Sequence, residues 1–439
     1  FNAGFLEKGL YDGDFNDSGW KNAMVDHGVT VLLSAQMNEP ITVTENIVPQ
    51  KITFTGNETY IVDVGQNISG WIRLKLPYNP GRVIKMRFGE MLDENGKLYT
   101  ANLRYAQATD VYIPGKEGTI DYEPTFTYHG FQYVEISGLT LPPEPGHITA
   151  RVVTSSPMIA GSFETSNTGL NKLWSNILWT QRDNLHSTPT DCPQRDERAG
   201  WMGDAQIFAT TAIYNMDMAA FFTKWIKDIR DGQNMQGRFP DFAPQAGIMA
   251  NFYNSPGWSD AGVIVPWRMY EYYGDTTVLS LHYDAMKQYI QSIVAENPDL
   301  LWKTARGNIY GDWLNGNTII ADDYPKEGGK VPDDVYATAY FANSARLVAE
   351  ISRLLNRKKD RIYYEALSQK IKEAFIKNYV ADDGTVLGNT QAGYAIALDF
   401  DLVPQHLRQK AALKMVEAVK AYDYRISTGI QTTIRLMNQ

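Results

Sequence analysis

The sequence predicts a multidomain β-plus-α protein: a β-sandwich over residues 39–157, then helical hairpins arranged in a ring over residues 158–439. Three observations carry this expectation. Between 39 and 157, short runs rich in Val, Ile, Thr and Tyr alternate with Gly, Pro, Asn and Asp at intervals of roughly 8–15 residues, the spacing of a sandwich. Near Gly161 the hydrophobic period changes from that of strands to that of helices. Beyond it, no dinucleotide fingerprint, phosphate loop or nucleophile elbow interrupts a series of helices separated by short aromatic–Gly loops.

In chain order, residues 1–38 do not form a complete unit. The polar run Tyr11 to Trp20 precedes an apolar VTVLLSA. Asp12, Asp14 and Asn16 have the spacing that opens a calcium loop, but Asp17 stands where the loop glycine belongs and the closing Glu is missing, so a surface turn is expected. The strand-like runs are ITVTENIV, KITFTG, TYIVDVG, GWIRLKL, RVIKMRFGE, DVYIP, TFTYHGFQYVEISG and ITARVVT, with a hairpin turn at Asn95-Gly96. Trp71, Tyr128 and His129 have the chemistry to touch a sugar, although aromatics on strands usually belong to the core.

Leu170, Leu173, Trp174, Ile177, Leu178 and Leu185 recur at helical spacing, and Ser166 or Asn167 can cap the helix. Further helices are expected over roughly 205–230, 260–273, 276–295, 334–355, 360–378, 391–399 and 405–421.

The chain of 439 residues is long enough for two to three domains and a large core, and 44% hydrophobic with 21% charged residues is ordinary for a globular protein. A net charge of −9 argues against nucleic acid or an anionic membrane as partner. No segment approaches the ~20 apolar residues of a membrane span. The single Cys192 excludes an internal disulfide, and the six scattered His residues show no metal-binding pattern, so no metal is expected. Compartment and oligomeric state are not legible in the sequence. A chain that opens on Phe1, with no Met or signal-like stretch, reads as cut from something longer.

The chemistry concentrates between Thr188 and Gln206, TPTDCPQRDERAGWMGDAQ. Asp191, Asp196, Glu197 and Asp204 surround Arg195 and Arg198, with Trp201 close by. Pro189 and Pro193 exclude a helix through the first half. Carboxylates that bind hydroxyls and move protons, guanidinium groups that fix them and an indole that stacks on a pyranose together describe a sugar site. The competing account is a charged N-cap loop with internal salt bridges. For Cys192 the better account is a small buried thiol rather than a nucleophile.

The run DCPQRDERAGWMGD (191–204) closely resembles the signature of the α-L-rhamnosidases, glycoside hydrolase family 78. The resemblance implies a preceding accessory domain that ends within 1–38, a concanavalin-like sandwich and an (α/α)6 six-hairpin toroid. About eight helices fit between 166 and 421, against the twelve of six hairpins, so the toroid reads as truncated at its C-terminal end. The resemblance further implies an inverting glycoside hydrolase that releases terminal α-L-rhamnose, needs no cofactor and has a rhamnose-containing glycoside or polysaccharide as partner. Glu197 matches the general acid. Asp191, Arg195 and Asp204 match positions that hold the sugar hydroxyls. Trp201, Trp258 in SPGWSDAG and Trp313 in IYGDWLNG match the aromatic wall, with Asp260 and Asp312 beside them as binding candidates and substitutes for the base. The family's base, a Glu in a Thr-Thr-Ile-Trp-Glu-like run, has no counterpart, because Thr432-Thr433-Ile434 leads to Arg435. The base is therefore expected beyond Gln439, or the chain is inactive. Two other readings stay open: a carbohydrate-binding protein without turnover, and another (α/α)6 glycosidase or a lyase.

Overall fold

The computed structural model describes residues 1–439 except 6, 8, 11, 29, 32, 78–81, 116–118, 246, 248–250 and 322. Tyr11 of the polar run, and Val29 and Leu32 of VTVLLSA, thus lie outside the described residues. The chain forms two compact units, the first of residues 1–156 and 163–198, the second of residues 157–162 and 199–439.

In the first unit, one antiparallel sheet has the order β1 (Ile41–Ile47), β10 (Ile148–Ser155), β3 (Thr59–Leu76), β9 (His129–Ser137), β4 (Ile84–Gly89), β7 (Thr109–Tyr112). β2 (Lys51–Gly56) and β8 (Ile120–Tyr122) also pair with β3. The 18-residue β3 therefore serves several partners along its length. β2 pairs with its first residues, β9 with Thr59–Asp63 and again with Ile68–Gly70, and β10 and β8 with its last part. The pairing with β9 is interrupted by an irregularity between Asp63 and Ile68, where Gly65 has φ +82° and donates its N–H to Asp63 Oδ1 at 2.7 Å.

Inward residues Val62, Ile72, Leu74, Ile84, Phe131, Val134, Ile136, Ile148 and Val152 form a fully buried core. The expected turn at Asn95-Gly96 joins β5 (Met91–Leu92) to β6 (Leu98–Tyr99), with Asp93 Oδ1 accepting from the N–H groups of Asn95 and Lys97. Asp12, Asp14 and Asn16 lie in an exposed turn, where Asn16 Oδ1 accepts from Ser18 N–H.

The helix expected after Asn167 is present as α1 (Thr168–Asp183), and it belongs to the first unit, with Trp179 packed against the sheet core. Asn167 is the cap: its side chain accepts from the N–H groups of Gly169 and Leu170.

The second unit is helical. α2 (Met202–Asn215) and α3 (Ala219–Asp231) replace the single helix expected over 205–230. The break has a tertiary cause. Ala160 donates to the Asn215 carbonyl and Asp217 to the Met158 carbonyl, so residues 158–160 draw the backbone at 215–217 out of the helix. α4 (Ala261–Tyr273), α5 (Thr276–Glu296), α6 (Asp333–Leu354), α7 (Lys358–Tyr379), α8 (Gln391–Asp399), α9 (Arg408–Ala421) and α10 (Thr433–Met437) follow. α6 is buried on nearly every side and contacts α4, α5, α7 and α8, in keeping with its many apolar and small residues from Val335 to Ile351. Among the described residues no helix is long and apolar enough to cross a membrane.

Candidate active site

The two units divide the candidate residues between them. Asp191, Arg195 and Glu197 belong to the first, whereas Trp201, Asp204, Trp258, Asp260, Asp312 and Trp313 belong to the second.

In the first unit, the segment after α1 has neither helix nor strand up to Gly200, as Pro189 and Pro193 require. Its backbone is fixed by bonds to itself, with Thr190 N–H donating to the Asn184 carbonyl at 2.9 Å. The carboxylates and guanidinium groups then meet in sequence. Cys192 Sγ donates to Asp191 Oδ2 at 3.0 Å, and Arg195 Nη2 lies 3.6 Å from the same oxygen. Arg195 Nη2 also lies 3.0 Å from Glu197 Oε2. A second guanidinium, that of Arg104, donates to Glu197 Oε2 at 2.8 Å. Glu197 is 20% exposed, and Oε1 accepts no bond among the described residues.

Burial, then the Asp191 carboxylate, pushes the Cys192 thiol up to about 12, so it stays protonated as a donor. Its place is therefore that of a small buried thiol. Arg198, at φ +56°, donates to the Tyr128 carbonyl at 2.9 Å and lies over the Tyr128 ring, which itself stacks on His186. Asp196 is exposed and pairs with neither arginine among the described residues. Trp71 and His129 are also tied internally. Trp71 Nε1 donates to Glu123 at 2.9 Å, and the His129 ring stacks on Phe88 with Nε2 3.1 Å from Asp110.

In the second unit, the three tryptophans of the sequence reading do converge, and the residue that joins them is Tyr310. Its ring lies 4.5 Å from that of Trp258 and 6.0 Å, edge-on, from those of Trp201 and Trp313. Trp258 is only 3% exposed and covers Gly203, where a Cβ would sit 2.3 Å from the indole, so the signature glycine is required by this close approach. Trp313 is 45% exposed and offers an open aromatic surface. Trp201 Nε1 is buried and has no partner among the described residues. Asp204 lies in the first turn of α2, where the helix dipole favours a negative charge.

The acids beside the tryptophans do something other than expected. Asp312 accepts from Gly429 N–H (2.7 Å), Gln431 N–H (3.1 Å), Thr432 N–H (3.1 Å) and the Thr432 hydroxyl. Four donors fill the capacity of a carboxylate. Asp260 is fully buried, with Ser344 Oγ donating to Oδ1 at 2.6 Å and Gly257 N–H to Oδ2 at 2.8 Å. Burial pushes its carboxyl up to about 6, and these donors oppose that shift. Both acids are enclosed loop braces in this geometry, and neither presents the open carboxylate of a sugar ligand or base.

Asp241, which the sequence reading passed over, has the same character. It is fully buried and takes bonds from Ser255 Oγ (2.7 Å), Tyr310 OH (3.1 Å) and Asn308 Nδ2 (3.3 Å), which positions the tyrosine among the tryptophans. A glutamine relay adds to this. Gln431 Nε2 donates to the Gly203 carbonyl at 2.9 Å, while its Oε1 accepts from Tyr340 OH at 2.9 Å and Gln206 Nε2 at 3.3 Å. Arg435, which follows Thr432-Thr433-Ile434, is buried against Phe400 and bonded to Asp399.

Comparison with known proteins gives a consistent result. Residues 159–439 match the family described as bacterial alpha-L-rhamnosidase 6 hairpin glycosidase domain, and residues 53–154 the bacterial alpha-L-rhamnosidase concanavalin-like domain. An alpha-L-rhamnosidase of Streptomyces avermitilis is 41% identical over 96% of this chain and 39% of its own length. One of Formosa agariphila is 37% identical over 95% of this chain and 45% of its own. The chain therefore spans about two fifths to one half of the length of these relatives. The structure of alpha-L-rhamnosidase from Dictyoglumus thermophilum covers 100% of this chain, and 49% of that chain is matched, at 36% identity with a TM-score of 0.92. That of the Streptomyces avermitilis enzyme complexed with L-rhamnose covers 92% of this chain, with 38% of that chain matched, at a TM-score of 0.85.

Proposed function

This chain belongs to the bacterial α-L-rhamnosidase family, and on that premise we propose that the protein hydrolyses glycosides bearing terminal α-L-rhamnose, with inversion at the anomeric carbon and Glu197 as general acid. The observation that carries the assignment of Glu197 is its environment. It is a partly exposed carboxyl with one oxygen held by two guanidinium groups and the other accepting no bond among the described residues. A general acid needs such an arrangement, because the donating oxygen must be fixed in direction yet open to the leaving group. Asp191, Arg195 and Asp204 are assigned to the sugar hydroxyls, for which charge-assisted bonds are short and directional. Trp201, Tyr310 and Trp313 are assigned to the apolar side of the sugar, with Trp258 beneath them. Residues 158–439 form the catalytic region in this reading. No residue here is assigned as base.

The test is hydrolysis of an aryl and an alkyl α-L-rhamnoside by the protein in its full natural length, with Glu197→Gln and Asp196→Asn alongside. Loss of acid assistance costs roughly 10²–10⁴ in rate. Glu197→Gln should show that loss on the alkyl glycoside and far less on the activated aryl one, whereas the exposed Asp196→Asn should stay close to wild type on both. Activity confined to glucosides or fucosides would reject the substrate class. A leaving-group-dependent defect in Asp196→Asn alone would move the acid to Asp196. Inversion is checked by nuclear magnetic resonance, with the β-anomer of rhamnose appearing first.

A further inference from the structure

We propose that Arg104, carried by the loop between β6 and β7, is a positioning residue for the general acid, holding Glu197 Oε2 so that Oε1 is presented to the leaving oxygen. The inference rests on the reading of Glu197 given above. Two observations point to it. The Arg104 guanidinium reaches a residue 93 positions away and bonds at 2.8 Å to the same oxygen that Arg195 approaches at 3.0 Å. Among the described residues of the first unit, Arg104, Arg195, Asp191 and Cys192 lie near Glu197, and the two arginines pair with it.

The second observation is the backbone. Arg104 has φ +57° and ψ −115°, a conformation that suits glycine and strains any residue with a Cβ. It follows a 3-10 turn, Ala101–Leu103, whose Leu103 is buried and anchors the loop. A chain that needed only a turn here would be served better by glycine. An arginine there trades backbone comfort for a long cationic side chain that reaches Glu197.

The chemistry follows from the geometry. A single contact leaves a carboxyl group free to rotate about its last bond. Two donors converging on one oxygen from different segments, residues 100–108 and the signature loop itself, fix that rotation. The proton to be delivered then sits on Oε1, in a defined direction. Displacement of a reacting group by about 1 Å can cost on the order of 10²-fold in rate, so loss of one of two clamps should be felt in proton delivery and little in binding.

The experiment uses the full-length protein with Arg104→Gly and Arg104→Lys, and Glu197→Gln as reference. Kinetic constants are measured on an aryl and an alkyl α-L-rhamnoside, together with melting temperature. Arg104→Gly is expected to lower kcat on the alkyl glycoside by about tenfold or more, with kcat on the aryl glycoside and both KM values within about threefold of wild type. Its melting temperature should equal or exceed that of wild type, because the strained position is relieved. Arg104→Lys keeps the charge but not the planar, rigid guanidinium, and should show the same split at smaller amplitude. Should the glycine variant not fold, the lysine variant decides by the same split. Equal losses on both glycosides, or no loss on either, would overturn the role of Arg104 while Glu197→Gln still shows its own split. If Glu197→Gln shows no split, the reading of the acid fails and that of Arg104 fails with it.

Discussion

Asp312 offers the sharpest test of whether an acid beside an aromatic loop serves sugar or structure. Its four donors come from Gly429, Gln431 and Thr432, so the carboxylate joins the Tyr310–Trp313 loop to the segment that leads into α10. That segment has no room to find other partners, since a Cβ on Gly429 would lie 2.2 Å from the Trp313 carbonyl oxygen. Asp312→Ala would leave three backbone N–H groups and a hydroxyl unsatisfied. Each costs about 1–3 kcal/mol when buried, and partial relaxation brings the sum to about 3–5 kcal/mol. For a unit of this size that is a fall in melting temperature on the order of 10 °C. Asp312→Asn keeps one accepting oxygen and turns an NH₂ toward the remaining donors, so it should lose about half as much. Thermal unfolding followed by tryptophan fluorescence measures both, and KM for the aryl rhamnoside is recorded on the same samples. If Asp312→Ala melts with wild type while its KM rises many-fold, Asp312 is a ligand of the sugar and the bracing argument is wrong.

Two further outcomes are expected. Burial holds the Asp183 carboxyl at about 8, against one stabilising bond from Ser69 N–H, in the last turn of α1 where the helix dipole also disfavours a negative charge. The unfolded chain gives up this proton first, so the contribution of Asp183 falls as pH rises from about 4 toward 8, and Asp183→Asn should flatten that part of the urea-unfolding profile and gain at most about 4 kcal/mol at pH 7. A variant with the same pH slope as wild type would refute it. Gly203→Ala drives a methyl group into the Trp258 indole and should cost about 1–3 kcal/mol together with a raised KM; unchanged values in both would show that the indole is free to move.

Much of the fold was legible because it rests on local signals. The strand runs, the Asn95-Gly96 turn, the Asn167 cap and the helices between 261 and 421 follow from residue type and period within a short window. The single helix over 205–230 failed for the opposite reason. The apolar period runs on through Met216, where the bonds from residues 158–160 hold the backbone out of the helix and Asp217 Oδ1 accepts from Ala219 N–H. Local preference carries no trace of a partner some 55 positions away. The site divides along the same line. The signature loop marks Asp191, Arg195 and Glu197 as candidates through their crowding in one segment. Arg104 gave no such sign, because a lone arginine between two short strands looks like any solvated charge. Tyr310 stands in the motif that supplies Trp313, but in a chain with 26 Tyr against 10 Trp a tyrosine carries little signal of its own.

Asp241, Asp260 and Asp312 expose what residue type cannot supply. Each sits beside an aromatic residue in a glycine-containing loop, the same context that makes a carboxylate look like a sugar ligand. What separates them from Glu197 is the supply of donors. Asp312 takes three of its four bonds from backbone N–H groups over a hundred positions away, and Asp260 and Asp241 take theirs from Gly257, Ser344, Ser255 and Tyr310. A buried carboxylate with both oxygens engaged by such donors acts as a cross-link. A carboxylate meant to exchange a proton must keep one oxygen uncommitted while the other is firmly held. Glu197, with Arg104 and Arg195 on Oε2, satisfies both requirements among the described residues. The distinction depends on which remote N–H groups and guanidinium groups the fold delivers to each acid, so it becomes visible only when the chain is folded.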